Sequence, residues 1–167
     1  MKRQKTLLSP GGWTALLLLL KAFSDTVGRD KIRRVRVEYS LSHALFLHAM
    51  GDFTLDKDLL ERVEARMRAL AAEKMPIVKQ AMSTDDGVER LRAMGMEDKA
   101  RLLSYRISSR VNLYTMGDFT DYFYGYMAPN AGYVKCFALE PFEDGFVLRL
   151  PSQSDPEHLG EFKPSMK

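Results

Sequence analysis

The feature that most constrains the fold is the run of residues 13–23, which is apolar on nearly every face of a helix. Such a helix is stable in water only when other elements cover most of its circumference. The run includes Lys21 and is shorter than the roughly 20 apolar residues that a membrane-spanning helix needs. No small-residue cleavage pattern follows it, as a signal peptide would require. The sequence therefore predicts a buried central helix, no membrane partner and a cytoplasmic protein.

Size and composition predict a single core. A chain of 167 residues with 46% hydrophobic residues falls near the common size of one domain. We expect that domain over residues 1–151, followed by a polar, proline-spaced tail or linker over residues 152–167. The formal net charge of +3 is too small to indicate a nucleic-acid partner. Cys136 is the only cysteine, which excludes an internal disulfide and a cysteine-based metal cluster.

The hydrophobic periodicity predicts helices interspersed with strands. Asp56 is a good N-cap for the second helix, and Pro76 limits its C-terminal end. The predicted helices cover residues 13–24, 57–74, 84–94 and 97–105, and the predicted strands cover 34–39, 44–47, 77–82, 111–115, 133–139 and 146–150. Hairpin-like strand pairs favour an α+β fold with one antiparallel sheet and helices packed on one face.

The candidate site lies in residues 111–150. A strand-like run there leads into an acidic, aromatic loop, and the chain returns as a second predicted strand that carries Lys135. This arrangement predicts the mouth of a pocket. The candidate ligand-binding residues are Tyr114, Asp118, Asp121, Tyr122, Tyr124, Gly125 and Lys135.

Two interpretations of these residues stay open. The tyrosines beside Lys135 could stack on a nucleotide or an RNA end, although core packing explains many of them equally well. Asp118 and Asp121 could form an acid/base pair, although aspartates near turns usually accept hydrogen bonds from local amides. We therefore assign no catalytic residue at this stage.

Motifs for metal and phosphate binding are absent from the sequence. His43 and His48 are five residues apart on a predicted strand and turn, so their side chains do not converge on one ion. Neither a Gly-x-x-x-x-Gly-Lys-Ser/Thr nor a Gly-x-Gly-x-x-Gly motif occurs. The sequence predicts no metal site and no cofactor in this chain.

The pentapeptide Met-Gly-Asp-Phe-Thr occurs twice, at residues 50–54 and 116–120. The flanking residues differ, so two short matches do not indicate a repeat architecture. We interpret the two copies as examples of the same turn type.

A family resemblance rests on residues 112–121, Gly125 and residues 129–139, which read Pro-Asn-Ala-Gly-Tyr-Val-Lys-Cys-Phe-Ala-Leu. In order along residues 13–150, the chain resembles the second additional domain of threonyl-tRNA synthetases, which edits mischarged tRNA. The resemblance implies a similar α+β scaffold.

The resemblance also implies that the editing chemistry is missing. That family carries two histidines, four residues apart, on its first helix, and the matching positions here are Pro10 and Thr14. A cysteine and a histidine, also four apart, should follow the aspartate loop, and Phe123 and Met127 stand there. The replacements cannot bind a metal or transfer a proton in the same way.

A closer resemblance is to the N-terminal region of bacterial uridine kinase-like (nucleoside kinase) proteins, and residues 121–125 and 145–151 carry it. It implies a non-catalytic accessory domain that precedes a P-loop kinase domain outside this chain. ATP and magnesium are expected only for that kinase domain. The expected partners are the kinase domain, a nucleotide or an RNA, and a homo-oligomer is compatible. The alternative function is a metal-independent aminoacyl-tRNA editing deacylase or a tRNA-binding module.

Overall fold

The computed structural model describes residues 10–41, 43–123, 125–152, 155 and 157–159. The helices are α1 (Pro10–Val27), α2 (Lys57–Ala72), α3 (Thr84–Ala93) and α4 (Glu97–Ser104). The strands are β1 (Ile32–Leu41), β2 (Ala44–Gly51), β3 (Ile77–Ser83), β4 (Arg110–Met116), β5 (Phe119–Tyr122), β6 (Ala138–Phe142) and β7 (Gly145–Arg149). Two short 3-10 turns lie at Arg29–Lys31 and Ala131–Tyr133.

The described strands form two antiparallel sheets. One has the order β1-β2-β7-β6, and the other has the order β3-β4-β5. This confirms the predicted α+β class with antiparallel strands. The prediction of one sheet was wrong, because an all-round apolar helix needs cover on more than one side, and α1 contacts strands of both sheets.

The prediction of helices on one face was also wrong for the three-stranded sheet. In β4, the side chains of Val111 and Leu113 pack with α3 and α4 in a second cluster of buried residues, while Tyr114 and Met116 face the main core around α1. Alternate residues of a strand point to opposite faces, so this sheet has helices on both sides.

Helix α1 is the centre of the main core, as predicted. Six of its apolar side chains have no exposed surface: Ala15, Leu17, Leu18, Leu19, Ala22 and Phe23. The helix begins at Pro10, a residue suited to the first helical position, and is followed by Gly28 with φ 98°. No helix among the described residues is long and apolar enough to cross a membrane.

The capping prediction for α2 is confirmed, and α3 has a cap of the same kind. The Asp56 carboxylate accepts a hydrogen bond from the Leu59 amide at 2.9 Å at the start of α2. The Ser83 hydroxyl does the same for the Asp86 amide at 3.1 Å at the start of α3. Each bond satisfies an amide that has no partner within the helix.

The predicted strand over residues 133–139 was wrong. The Asn130 side chain accepts from the Gly132 amide at 2.8 Å and starts a 3-10 turn, and β6 begins only at Ala138. The buried residues Ala131, Val134 and Phe137 recur every third position, whereas a half-buried strand buries every second residue. Lys135 therefore lies in a loop.

The two Met-Gly-Asp-Phe-Thr copies do not share a turn type, so that interpretation was wrong. Gly117 has φ 62° in the tight turn between β4 and β5, whereas Gly51 ends β2 without a positive φ. Both copies instead contact the turn after α1. The Asp52 amide donates to the Lys31 carbonyl at 2.8 Å, and Arg29 donates to the Asp118 carbonyl.

His48 links three parts of the four-stranded sheet. From β2, its Nδ1 lies 2.7 Å from Glu38 Oε2 on β1, and its Nε2 lies 2.7 Å from Asp144 Oδ1 between β6 and β7. The hydrogen bond to Glu38, followed by that to Asp144, raises the pKa of His48 above 6.5. The hydrogen bond with His48 lowers the pKa of Glu38 below 4.5.

We expect the stabilising contribution of His48 to the free energy of unfolding to decrease as the pH rises above neutrality. A raised pKa in the folded state means that this stabilisation is complete below the unfolded value of 6.5 and is lost as the pH rises through the folded value. Urea unfolding of the wild type and His48→Gln should differ most near about pH 5.5 and least near about pH 8.5. An equal difference at both pH values would contradict this role.

Candidate functional site

The structure separates the six predicted ligand-binding residues that it describes. Asp118 lies in the β4–β5 turn, but Asp121 and Tyr122 belong to strand β5 rather than to a loop. Asp121 is the cross-strand neighbour of Tyr114, and Tyr122 is that of Leu113, so Asp121 and Tyr122 point to opposite faces. Tyr124 lies outside the described residues.

Lys135 contributes to a different part of the surface. It lines a shallow cleft of about 400 Å³ between α2 and the loop that precedes β6, together with Arg68, Cys136 and Phe137. Of the other predicted site residues that the structure describes, Tyr114, Asp118, Asp121, Tyr122 and Gly125, none lines this cleft. Burial raises the pKa of the Cys136 thiol, which makes the thiolate less available as a nucleophile.

Asp121 is a buried carboxylate that forms an ion pair with Lys99 on α4. Its side chain is 2% exposed, and both carboxylate oxygens accept from Lys99 Nζ on α4, at 3.0 and 2.9 Å. The Tyr122 amide donates to Oδ1 at 2.7 Å. Nothing in the sequence pattern indicates Lys99 as the partner, because the two residues are 22 positions apart in different elements.

Asp118 is held by a second lysine. Lys21, buried on α1, donates to Asp118 Oδ1 at 2.7 Å and to Asp25 Oδ1 at 2.8 Å, and Arg66 Nε donates to Asp25 Oδ2 at 2.9 Å. Burial alone lowers the pKa of Lys21, but the hydrogen bonds to Asp118 and Asp25 outweigh it and raise this pKa. The hydrogen bond from Lys21 lowers the pKa of Asp118.

These contacts disfavour an acid/base pair. Each aspartate is hydrogen-bonded to its own lysine, and a carboxylate whose charge is neutralised in this way is a poor general base at neutral pH. The Asp118 side chain is 82% exposed, whereas Asp121 is 2% exposed, so the two do not face one common cavity.

An aromatic group, formed by Trp13, Tyr114 and Phe123, fills the space beside Asp121. The Trp13 and Phe123 rings are 6.0 Å apart, and the Tyr114 and Phe123 rings are 6.3 Å apart, both edge to face. The Tyr114 hydroxyl donates to the Gly125 carbonyl at 3.1 Å, and burial raises the pKa of this hydroxyl. Tyr114 therefore acts in packing rather than as an exposed stacking platform.

Gly125 allows the chain to pass directly over Trp13. A Cβ at this position would lie 2.0 Å from Trp13 Nε1, which is too close for any other residue. The following segment is then fixed to the first helix, because the Ala128 amide donates to Thr14 Oγ1 at 2.8 Å. Met127 packs against the main core. Trp13 and Thr14 were missed as site residues because their role depends on contacts more than 100 positions away.

The described residues contain no group of three or more histidine, cysteine or acidic side chains that could hold a metal ion. A second shallow cleft of about 350 Å³ lies at the start of α2 and includes Asp52, Asp56 and Asp58. Asp56 caps the helix and Asp58 pairs with Arg62, so these carboxylates have structural partners.

Comparison with known proteins identifies relatives with a shared name. The chain is 37% identical over 81 residues to threonine–tRNA ligase of Methylobacillus flagellatus, a match that covers 48% of this chain and 13% of the ligase. It is 29% identical over 140 residues to threonine–tRNA ligase of Syntrophotalea carbinolica, covering 80% of this chain and 22% of that protein. The corresponding ligase of Geobacter sp. strain M21 is 32% identical over 92 residues, with 53% and 14% covered.

These similarities support a threonine–tRNA-ligase-like domain. The chain spans less than a quarter of the length of these relatives, so they concern one part of a much larger protein. No model of a protein family matches the chain.

Substitution of Gly125 should displace the only tryptophan. Because the added methyl group of Gly125→Ala would meet the indole, we expect a loss of about 1–3 kcal/mol in the free energy of unfolding, as for other overpacked sites. The fluorescence emission of Trp13 should shift as the ring moves. In Gly132→Ala the new methyl group meets Lys74 and Asn130 instead, and the emission should not change. An unchanged spectrum in Gly125→Ala would show that Trp13 does not pack here.

The two aspartates should differ in their contribution to stability. Asp121→Asn weakens a buried, charge-assisted contact with Lys99 and should lower the free energy of unfolding by about 1–3 kcal/mol. Asp118→Asn alters an exposed carboxylate, and the ion pair between Lys21 and Asp25 remains. The free energy of unfolding should therefore fall by less than about 1 kcal/mol. Chemical denaturation measures both, and equal losses would contradict the structural role of Asp121.

Proposed function

We propose that the chain is an editing-type, threonine–tRNA-ligase-like domain that has lost its reaction and acts as a non-catalytic accessory domain. In this proposal it binds a nucleotide, an RNA or a neighbouring kinase domain rather than hydrolysing mischarged tRNA. The single observation that supports it most is the use of Thr14, Phe123 and Met127 in packing. These are positions at which the resemblance leads us to expect histidine or cysteine.

The contacts of these three residues explain why the reaction would be lost. The Thr14 hydroxyl accepts from the Ala128 amide and is fully buried. Phe123 is in edge-to-face contact with Trp13 and Tyr114, and Met127 joins the main core. A hydrolytic site needs a water molecule held beside a base or a metal ion, and these side chains offer neither.

We further propose that this domain precedes the P-loop kinase domain of a uridine or nucleoside kinase. Support comes from the sequence resemblance in residues 121–125 and 145–151. Both segments contain a glycine with a fixed structural role, because a Cβ at Gly145 would lie 2.2 Å from the Leu47 carbonyl oxygen and one at Gly125 would meet Trp13. ATP and magnesium would then bind only to the kinase domain.

The kinase proposal has a direct test in the gene. The coding sequence downstream of Lys167 should contain a Gly-x-x-x-x-Gly-Lys-Ser/Thr motif between a strand and a helix. A reading frame that continues into a tRNA ligase, or that lacks this motif, would overturn the proposed parent protein while leaving the loss of editing untouched.

The loss of editing should be visible in a deacylation assay. The purified chain should not hydrolyse threonine tRNA mischarged with serine, which lacks only the methyl group of threonine, above the spontaneous rate. A bacterial threonine–tRNA ligase provides the positive control. Hydrolysis that Asp121→Asn abolishes would overturn the proposal and favour the metal-independent deacylase. A variant that retains its circular dichroism spectrum would rule out unfolding as the cause.

A further inference from the structure

Three large apolar side chains are exposed at and just after the end of α4, and two of them, Leu102 and Tyr105, lie three positions apart, about one helical turn. Leu102 is 68% exposed, Tyr105 is 76% exposed and Ile107 is 101% exposed. We call Leu102, Tyr105 and Ile107 the α4 patch. Together they present on the order of 400 Å² of side-chain surface, a size at which apolar patches on soluble proteins commonly mark interaction sites. The other large exposed apolar residues, such as Val78 and Tyr133, are separated along the chain.

The backbone that carries the α4 patch is held firmly. Between the exposed residues, Leu103 is buried in the second core cluster, and the Arg106 guanidinium lies over the Tyr122 ring at 5.4 Å. The segment after the patch is also fixed, because the Thr84 amide donates a hydrogen bond to the Ser109 carbonyl at 2.9 Å. An apolar surface that is already ordered loses little conformational entropy when it binds.

The rim of the α4 patch contains charges of both signs. Arg101 donates to Asp98 at 3.0 Å, and both side chains are partly exposed. Asp85 and Asp86 lie in the first turn of α3, which is joined to the residues just before Arg110. A rim of this kind can pair with a copy of itself across a two-fold axis, because the acidic groups of one copy can meet the basic groups of the other. A rim of one sign would repel its own copy.

The second core cluster, which lies beneath the α4 patch, is small. It contains six buried residues, Val88, Leu91, Ala100, Leu103, Val111 and Leu113. Two of these residues come from α3, two from α4 and two from β4. Packing a second α4 against the first would thicken the layer and bury apolar surface on both copies.

We propose that the α4 patch is the centre of a two-fold interface between two copies of this chain. Leu102, Tyr105 and Ile107 form its apolar core, and the charged side chains of α3 and α4 form its rim. The apolar core supplies about half of the roughly 800 Å² per partner found in standard interfaces, so the dimer should be of moderate affinity and should depend on protein concentration.

Sedimentation velocity of the 167-residue chain tests this interface. Between about 5 µM and about 500 µM the weight-average mass should rise from near 19.1 kDa toward twice that value. Ile107→Asp and Tyr105→Glu should each weaken dimerisation by at least about tenfold, because each places a charge in the centre of the contact. Val78→Asp, an equivalent change at another exposed position, should leave the dissociation constant unchanged.

Two results would overturn the proposal. One is a constant mass near 19.1 kDa over the whole concentration range. The other is a dimer that Val78→Asp weakens as much as Ile107→Asp does. Unchanged thermal unfolding of the Ile107→Asp monomer would confirm that the substitution acts on association rather than on folding. These outcomes are independent of the deacylation and gene-sequence tests of the proposed function.

Discussion

Burial of α1 on all sides is the constraint on which the rest of the structure depends. One sheet covers only part of such a helix, so the chain supplies two sheets and α2 around it. The single cation on its buried surface, Lys21, must then be neutralised, since an unpaired buried charge is very costly. Asp25 and Asp118 provide this, and the pairing with Asp118 also fixes the β4–β5 turn against the helix.

Helix α1 also supplies two of the residues that pack in the candidate site. Trp13 and Thr14 lie in its first two turns, where they meet Phe123, Gly125 and the Ala128 amide. Within the predicted pocket region, the space beside Asp121 is therefore filled by ring packing and by a hydrogen bond between distant segments.

Local signals in the sequence were sufficient for the helices, and long-range contacts account for the errors. Asp56 marks the start of α2 through a hydrogen bond within three residues, so sequence reasoning locates that end well, whereas α1 extends three residues beyond its predicted range at each end. The two-sheet division depends on which distant strand pairs with β2, and the partners of Asp118 and Asp121 are lysines 97 and 22 positions away. The loop at Lys135 was mistaken for a strand because apolar residues three apart resemble an alternating pattern in a short run.

Under the proposed function, loss of the editing reaction and retention of the fold are compatible for a physical reason. Polar groups gathered for catalysis are kept out of water and lie close to like charges, which costs stability that the surrounding core must supply. In the proposal, Thr14, Phe123 and Met127 stand in place of such groups, which would remove that cost, and Phe123 packs against Trp13. A domain in this state has a rigid interior and no strained site to protect. The proposed accessory domain would then interact through its outer surface.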